Sequence, residues 1–220
     1  MNIKAIIQSR MTSRRYPGKA LSPFLGKPVL SHVVNCIKRT QINPTIILAT
    51  SEDAADDPLA LYGENLNLKV VRGSRDDVIG RFALSLNQYK CDAFFRVCGD
   101  SPLLLSFLFD LAVSKFKQNK FDLVTNVYPR SFPPGMSVEL IRTQTFLEKE
   151  KIITDKSDRE HITQYFYKKD KSLSIHNIQC AKTLSPNFKL ALDEPEDLKK
   201  IEAWYLENGS NYEDLFPVKE

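Results

Sequence analysis

The sequence predicts an α/β fold: a mostly parallel sheet with helices on both faces. Three observations predict it. Short apolar runs alternate with longer segments whose apolar residues recur at helical spacing. Polar stretches follow four of the runs, at residues 9–19, 51–57, 73–77 and 98–101. The composition is that of an ordinary globular chain, with 220 residues, 42% of them hydrophobic and 26% charged. Strands and helices that alternate in this way build parallel sheets covered on both sides.

The first half of the chain carries the alternating pattern. The apolar runs predict strands at residues 3–8, 45–50, 68–73, 93–100 and 121–126. Helical spacing of apolar residues predicts helices at 27–40, 76–89 and 102–118. The predicted order is β-α-β-α-β-α-β-α-β, in which a fourth helix stands between the strands at 45–50 and 68–73. Ligands of such sheets bind beyond the carboxyl ends of the strands, so the four polar stretches are expected to converge on one crevice.

The second half breaks the alternation. Residues 128–141 contain three prolines and a glycine, which predicts an excursion from the sheet. Residues 157–169 predict one helix. Residues 189–209 predict a strand, an acidic turn and a helix that begins at Pro195 and ends at Gly209. We therefore expect one domain over 1–220, with 128–180 as a smaller excursion.

Composition and charge limit the class of partner. The net charge of +4 permits an anionic ligand but falls short of the concentrated basic face of a nucleic-acid-binding protein, so no nucleic acid is expected. The four cysteines contain no C-x-x-C pair, which favours free thiols in a reducing cytoplasm. The apolar run at the amino terminus is too short for a signal peptide, and none approaches the roughly 18 residues of a membrane span, so no membrane insertion is expected.

A loop crowded with positive charge follows the first strand. It carries the basic residues Arg10, Arg14, Arg15 and Lys19, interleaved with Ser9, Thr12, Ser13 and Gly18. Neither G-x-x-x-x-G-K-[ST] nor G-x-G-x-x-G is present there, which excludes a Walker-type loop and argues against a dinucleotide site. Small residues let backbone N–H groups approach phosphate, and basic side chains supply charge, so the loop predicts a polyanion site. The alternative is a solvated, charged loop without a ligand.

Two aspartates come where predicted strands end. Asp100 follows the fourth strand, where it either contacts a divalent cation that bridges phosphates or caps the next helix. Asp193 is the first polar residue after the apolar run near 190, whereas Glu196 and Asp197 are expected only to favour the helix amino terminus through its dipole. Because both aspartates follow strands of one predicted sheet, they can meet in its crevice and share one Mg²⁺.

Six collinear segments together resemble a known family. They are 6–19, 25–34, 72–82, 95–104, 157–163 and 190–198. The stretch IIQSRMTSRRYPGK resembles the A-R-x-x-S-x-R-x-P-G-K signature of the cytidylyltransferases that activate sugar acids, among them the acylneuraminate and 3-deoxy-manno-octulosonate cytidylyltransferases. The likeness is closest to the branch that serves spore-coat polysaccharide biosynthesis.

The resemblance implies a nucleotidyltransferase fold shared with GT-A glycosyltransferases, and it implies roles for particular residues. A nucleoside triphosphate would be bound by Arg10, Ser13, Arg15, Lys19, Asp77 and Arg81. Mg²⁺ would be held by Asp100 and Asp193, and catalysis would rest on Arg15, Lys19 and Asp100. Glu139 and His161 are candidates for acceptor binding, although His161 can equally be a packed helix histidine.

Two departures from the family pattern stand out. Tyr16 replaces the usual Leu before Pro-Gly-Lys, and Ser137 stands on the acceptor side where relatives often carry Asp. The resemblance nevertheless implies a CTP-dependent enzyme that activates a sugar or sugar acid for surface polysaccharide and releases pyrophosphate. One alternative uses another nucleotide, such as GTP, with a sugar 1-phosphate. A second alternative binds nucleotide without turnover.

The excursion is also the expected dimer contact. It carries the aromatic run Tyr165-Phe166-Tyr167 and a proline-rich arm, which would place apolar surface outside the main sheet. Dimers are common among the proteins that the sequence resembles. A homodimer formed through 128–180 is therefore expected.

Overall fold

The computed structural model describes residues 1–118 and 120–219. Within these residues the strands are β1 (Ile3–Gln8), β2 (Pro23–Phe24), β3 (Lys27–Pro28), β4 (Thr45–Ser51), β5 (Lys69–Gly73), β6 (Ala93–Cys98), β7 (Leu123–Thr125), β8 (Glu139–Arg142) and β9 (Ile175–Asn177). The helices are α1 (Val29–Lys38), α2 (Asp57–Asn65), α3 (Val78–Gln88), α4 (Ser106–Gln118), α5 (Thr143–Glu150), α6 (Lys156–Glu160), α7 (Gln164–Lys168) and α8 (Pro195–Asn208).

Seven of these strands form one sheet in the order β5-β4-β1-β6-β8-β7-β9. The pairs β5–β4, β4–β1, β1–β6 and β7–β9 are parallel, whereas β8 runs antiparallel to both of its neighbours. The predicted α/β fold with a mostly parallel sheet is confirmed, and the five strands expected in the first half are β1, β4, β5, β6 and β7. Two strands of the predicted excursion, β8 and β9, belong to this same sheet.

Each face of the sheet carries its own hydrophobic core. Ile7 and Phe95 point into one core with residues of α1 and α4. Ile6 and Phe94 point into the other with residues of α3 and α5. All four side chains are fully buried, because successive side chains of a strand face opposite sides and both sides are covered. This explains why the strands appear in the sequence as unbroken apolar runs.

The single helix predicted over 157–169 is wrong: α6 and α7 are separate. The backbone at His161 leaves the helical region, with φ −110° and ψ 68°. Arg159 ties α6 to its surroundings, since its Nη1 donates to the carbonyl oxygen of Ile153 at 2.7 Å and its Nη2 contacts Asp77 at 2.8 Å. The contact with Asp77 joins residues that are distant in sequence, which helical spacing does not encode.

The strand predicted at the start of 189–209 is also wrong, whereas α8 begins at Pro195 as expected. The apolar segment joins no ladder, because its backbone bonds to two loops instead. Leu190 N donates to Pro134 O at 2.8 Å, and Leu192 N donates to Asp100 O at 3.1 Å. Gly135 permits this contact: its φ is +102°, and a Cβ there would lie 2.3 Å from the backbone of Leu190.

Across residues 1–118 and 120–219, no helix is both long and apolar enough to cross a bilayer.

Candidate functional site

The basic loop after β1 is closed by its own backbone and anchored to a buried carboxylate. Gly18 N donates to Met11 O at 2.8 Å, and Gly18 has a φ of +74°, the left-handed conformation that favours glycine. Met11 N donates to Asp56 Oδ1 at 2.6 Å. The loop therefore has a defined shape with its basic side chains at the carboxyl end of β1.

Asp56 is the residue that sequence analysis missed. It is 0% exposed, and its Oδ2 accepts from Thr50 Oγ1 and Ser51 N, each at 3.1 Å, and from Ser51 Oγ. A buried carboxylate needs such donors, and here one of them is the backbone of the basic loop. Asp56 is one of several acids in SEDAADDP, so nothing in the local pattern distinguishes it.

Asp100 and Asp193 are brought together around one ammonium group. Lys19 Nζ donates to Asp100 Oδ2 at 2.5 Å and to Leu192 O at 2.6 Å, and it lies 3.9 Å from Asp193 Oδ1. Arg15 Nη2 contacts that same Asp193 oxygen at 2.8 Å. The two aspartates thus come together at Lys19 as expected, although Asp193 arrives on an irregular segment outside the sheet rather than at the end of a strand.

Carboxylates from three distant segments balance most of the charge of the basic loop. Arg10 Nη2 contacts Glu160 Oε1 at 3.2 Å, in addition to the pairs of Arg15 with Asp193 and Lys19 with Asp100. Among the residues described, Arg14 forms no ion pair. The sequence-based argument that a ligand must supply the compensating charge therefore holds only in part, because the protein supplies much of it.

A cavity of about 420 Å³ lies over this cluster. Its walls include Ser13, Arg15, Lys19, Arg81, Asp100 and His161. A second cavity of about 790 Å³ shares the walls formed by Arg10, Arg14 and Glu160. Both volumes lie in the range of small-molecule sites, and both are bordered by the basic loop.

Asp77 and Arg81 stabilise the wall of these cavities. Asp77 caps α3 by accepting from Gly80 N at 2.8 Å, and it accepts from Arg159 Nε at 2.9 Å. Desolvation opposes ionisation of Asp77, but the bonds from Arg159 and Gly80 outweigh it and lower the pKa. Arg81 is 3% exposed and donates to the carbonyl oxygens of Ser74 and Arg75 at 2.7 and 2.8 Å. Burial lowers the pKa of Arg81.

Glu139 lies beneath the surface at the start of β8. It is 1% exposed, and Arg96 Nη1 donates to its Oε2 at 2.8 Å while the Tyr167 hydroxyl donates to its Oε1 at 2.5 Å. Because both oxygens have protein partners, Glu139 offers neither of them directly to a ligand in this arrangement. His161 is exposed at the end of α6 and lines the smaller cavity.

Cys98 also lines the smaller cavity, but its thiol is a weak nucleophile there. Burial raises the pKa of its thiol to about 11, so it stays protonated at neutral pH. The cavity therefore holds cations and carboxylates rather than an activated nucleophile.

The donor set suits a divalent cation that is bound together with phosphate. No cluster of three or more His, Cys, Asp or Glu side chains suited to a metal occurs in the described part of the chain. Two carboxylates do lie together, those of Asp100 and Asp193, which both approach Lys19 Nζ. Mg²⁺ is commonly held by one or two carboxylates, with substrate phosphates and water completing its octahedron. The residues present fit such an ion.

The fold and this site are those of a nucleotidyltransferase. Comparison of the sequence with family models narrows the class: the chain belongs to the cytidylyltransferase family, whose model matches residues 4–213. It is 26% identical over 215 residues to the spore coat polysaccharide biosynthesis protein SpsF of Bacillus subtilis, covering 94% of this chain and 88% of that protein. It is 31% identical over 121 residues to the 3-deoxy-manno-octulosonate cytidylyltransferase of Geobacter sulfurreducens, covering 54% of this chain and 47% of that enzyme.

A solved structure shows the same architecture. The cytidylyltransferase from Leptospira borgpetersenii superposes with a TM-score of 0.89 at 26% identity, covering 96% of this chain and 89% of that one. The resemblance noted from the sequence motifs is therefore confirmed at the level of family, fold and enzyme class.

Proposed function

We propose that this protein is a Mg²⁺-dependent cytidylyltransferase that transfers CMP from CTP to a sugar or sugar acid and releases pyrophosphate. One observation carries the proposal: the Lys19 ammonium lies 2.5 Å from Asp100 and 3.9 Å from Asp193, beside the basic loop. This cluster joins phosphate-binding cations to two carboxylates suited to a metal. The cytidylyltransferase family supports CTP as the nucleotide.

The two cations of the cluster have capacity left for phosphate. An ammonium group has three donors, and Lys19 uses two of them on Asp100 and Leu192. Arg15 contacts Asp193 through Nη2, and its side chain is 62% exposed. Both groups can therefore bind the triphosphate and stabilise the charge that develops in the transition state.

Asp100 and Asp193 would hold the metal ion. When bound, Mg²⁺ would polarise the reacting phosphoryl group and offset its negative charge. Lys189 Nζ contacts Asp193 Oδ2 at 3.2 Å, and Asp193 N donates to Asp197 Oδ2 at 2.9 Å. These contacts keep Asp193 in place although it lies outside the sheet.

The reaction requires no protein nucleophile. An acceptor hydroxyl forms the new bond to the α-phosphorus, the bond from that phosphorus to the β-phosphate oxygen breaks, and pyrophosphate leaves with its electron pair. The hydroxyl proton passes to solvent or to a nearby base, for which His161 is a candidate at the cavity wall. Positioning and electrostatic stabilisation supply the catalysis.

The test is a panel of nucleotides and acceptors that follows pyrophosphate release. CTP, GTP, UTP and ATP are each paired with sugar acids, including 3-deoxy-manno-octulosonate, and with sugar 1-phosphates. We expect release with CTP, dependence on Mg²⁺, and one CMP-sugar per pyrophosphate. Release with GTP and a sugar 1-phosphate, and none with CTP, would support the alternative nucleotide. Tight CTP binding without release across the whole panel would support a binding protein.

The similarity to SpsF leads us to propose that the product feeds surface polysaccharide synthesis. We also propose a homodimer formed through residues 128–180, within one domain spanning 1–220 and acting in the cytoplasm. Light scattering at micromolar concentration tests the assembly, and a monomer there would contradict it.

A further inference from the structure

Asp56 is a buried acid that takes no part in the proposed reaction as described so far. It is fully buried and lines neither of the two cavities of the site. Four hydrogen bonds reach its carboxylate, three of them from Thr50 and Ser51 and one from Met11 in the basic loop, and all four donors are neutral. Burial of a carboxylate costs free energy even when it is hydrogen-bonded, and here the bonds divide between two segments of the chain.

The two carboxylate oxygens of Asp56 serve different segments. Oδ2 accepts from Thr50 Oγ1 and from Ser51 N, each at 3.1 Å, which fixes Asp56 to the end of β4. Oδ1 accepts from Met11 N at 2.6 Å, although Met11 is 45 residues away in sequence. Asp56 therefore joins the basic loop to the central sheet.

Met11 carries this connection on to the residues proposed to bind phosphate. Its carbonyl oxygen accepts from Gly18 N at 2.8 Å, so the segment between these two residues is closed at its base. Ser13 and Arg15 lie within that segment, and Lys19 follows its closing residue directly. A shift of the Met11 backbone would therefore displace all three side chains.

The loop has features that favour its opening. Thr12 Oγ1 is buried and has no hydrogen-bond partner within the part of the chain that the structure describes. Arg14 and Arg15 are exposed neighbours of like charge, which repel each other. An unsatisfied polar atom and repelling cations both destabilise the closed shape. The bond from Met11 to Asp56 opposes them from a buried position, where water does not compete for the carboxylate.

We propose that Asp56 is a positioning residue of the reaction: its carboxylate fixes Met11 and thereby holds the basic loop in the shape that binds the triphosphate. The inference rests on the proposed function and adds to it a residue that meets no ligand. It predicts an effect opposite in sign to that of net charge. Loss of a negative charge beside the basic loop would by itself strengthen the binding of a polyanion, whereas a loop that is no longer fixed binds it more weakly.

Asp56→Asn keeps the size of the side chain but can satisfy only one of two backbone donors. Met11 N and Ser51 N both need an acceptor, and an amide offers one oxygen and one NH₂ group. The oxygen is favoured on the side of Ser51, where three of the four donors converge. The NH₂ group then faces Met11 N, and the loop loses its connection to the sheet.

The first test is limited proteolysis with trypsin, because the loop carries basic residues at which trypsin cleaves. Thr50→Val is the matched control: it removes a donor to Asp56 from a fully buried position on β4 and does not touch the loop. Cleavage after Arg14 or Arg15, mapped by mass spectrometry below the melting temperature of both variants, should be at least about fivefold faster in Asp56→Asn and unchanged in Thr50→Val. Equal cleavage of all three proteins, or equal acceleration in both variants, would overturn the proposal.

Hydrogen exchange of the wild-type protein decides the contact should Asp56→Asn fail to fold. Relative to their intrinsic rates, the amide of Met11 should exchange at least about tenfold more slowly than the amides of the exposed residues Arg14 and Arg15. Exchange of Met11 as fast as that of these two residues would overturn the proposal.

Binding without turnover separates this inference from the proposed function. Calorimetry with inorganic tripolyphosphate and with CTP, both without metal, should give a Kd at least about tenfold higher in Asp56→Asn than in wild type, and a wild-type Kd in Thr50→Val. An unchanged or lower Kd in Asp56→Asn would overturn the proposal, even if wild type releases pyrophosphate as proposed. If wild type binds CTP but releases no pyrophosphate, the proposed transfer fails, and a raised Kd in Asp56→Asn still supports the role of Asp56.

Discussion

The basic-loop side and the Glu139 side of the site balance their charges in opposite ways. On the basic-loop side, the pair of Arg15 and Asp193 has side chains 62% and 29% exposed, so solvent and ligands reach it. On the Glu139 side, Arg96 pairs with Glu139, whose side chain is 1% exposed. An exposed pair can exchange its partners for phosphate or a metal, whereas a buried pair cannot be broken without leaving a charge uncompensated. We therefore expect replacements to cost rate on the first side and stability on the second.

The largest effect is expected from Glu139→Gln. Removing one charge from a buried pair leaves Arg96 uncompensated, which should lower the free energy of unfolding by about 3–5 kcal/mol. Urea denaturation followed by circular dichroism measures it. Tyr167→Phe is the matched control, because it removes one hydrogen bond to Glu139 but no charge, and should cost about 0.5–1.5 kcal/mol. Equal losses in the two variants would show that the ion pair is not the dominant contact.

Replacing Asp100 or Asp193 with Asn should lower the rate of pyrophosphate release by about 10²–10³-fold, because each removes a carboxylate proposed to hold the metal against the phosphates. The melting temperature should change little, since both side chains are partly exposed. Glu196→Gln, an exposed acid near Asp193, is the control and should retain the wild-type rate. If Asp193→Asn releases pyrophosphate at a near-normal rate at saturating Mg²⁺, Asp193 is not a ligand of the metal ion.

A smaller effect is expected from Asp197→Ala. The sequence predicts only a dipole role, but Asp197 Oδ2 accepts from Asp193 N at 2.9 Å and Glu194 N at 3.0 Å, and from Lys189 Nζ at 2.7 Å. Loss of this capping residue should lower the free energy of unfolding by about 0.5–2 kcal/mol. It should also raise KM for CTP, since Asp193 loses its backbone support. A change in stability with an unaltered KM would show that Asp197 only caps the helix and does not support the position of Asp193.

The contrast between these residues shows what the sequence could predict. The strand around Ile6 and Ile7 could be predicted because an unbroken apolar run is a local pattern that indicates burial on both faces. The start of α8 at Pro195 could be predicted because it too depends on neighbouring residues only. The strand expected near Leu190 fails because its hydrogen-bond partners lie on distant loops. Asp56 was missed because its role depends on Met11, which only the folded chain brings near. Family motifs pointed to Asp100, Asp193 and Lys19, but they did not predict that the Lys19 ammonium lies against both aspartates.

The smallest effect concerns pH. The pKa of Asp77 is lowered in the folded chain, because bonds from Arg159 and Gly80 outweigh desolvation. Because this pKa is lowered on folding, ionised Asp77 stabilises the folded chain at pH values above the ordinary carboxyl range near pH 4. That stabilisation is lost as the pH falls through the lowered pKa. The protection of the α6 amides, that is their exchange rate relative to the intrinsic rate at the same pH, should therefore fall on acidification below about pH 4. Asp77→Asn should show fast exchange already at neutral pH; slow exchange there would exclude the contact with Arg159 as the cause.

The most direct test of the central claim is the effect of Mg²⁺ on CTP affinity, measured by calorimetry for wild type and for the double variant Asp100→Asn with Asp193→Asn. The claim is that the two carboxylates and the Lys19 ammonium form one nucleotide and metal site. We predict that Mg²⁺ strengthens CTP binding to wild type at least about tenfold, and that the double variant binds CTP through the basic loop with no gain from Mg²⁺. An equal gain from Mg²⁺ in both proteins would contradict the claim.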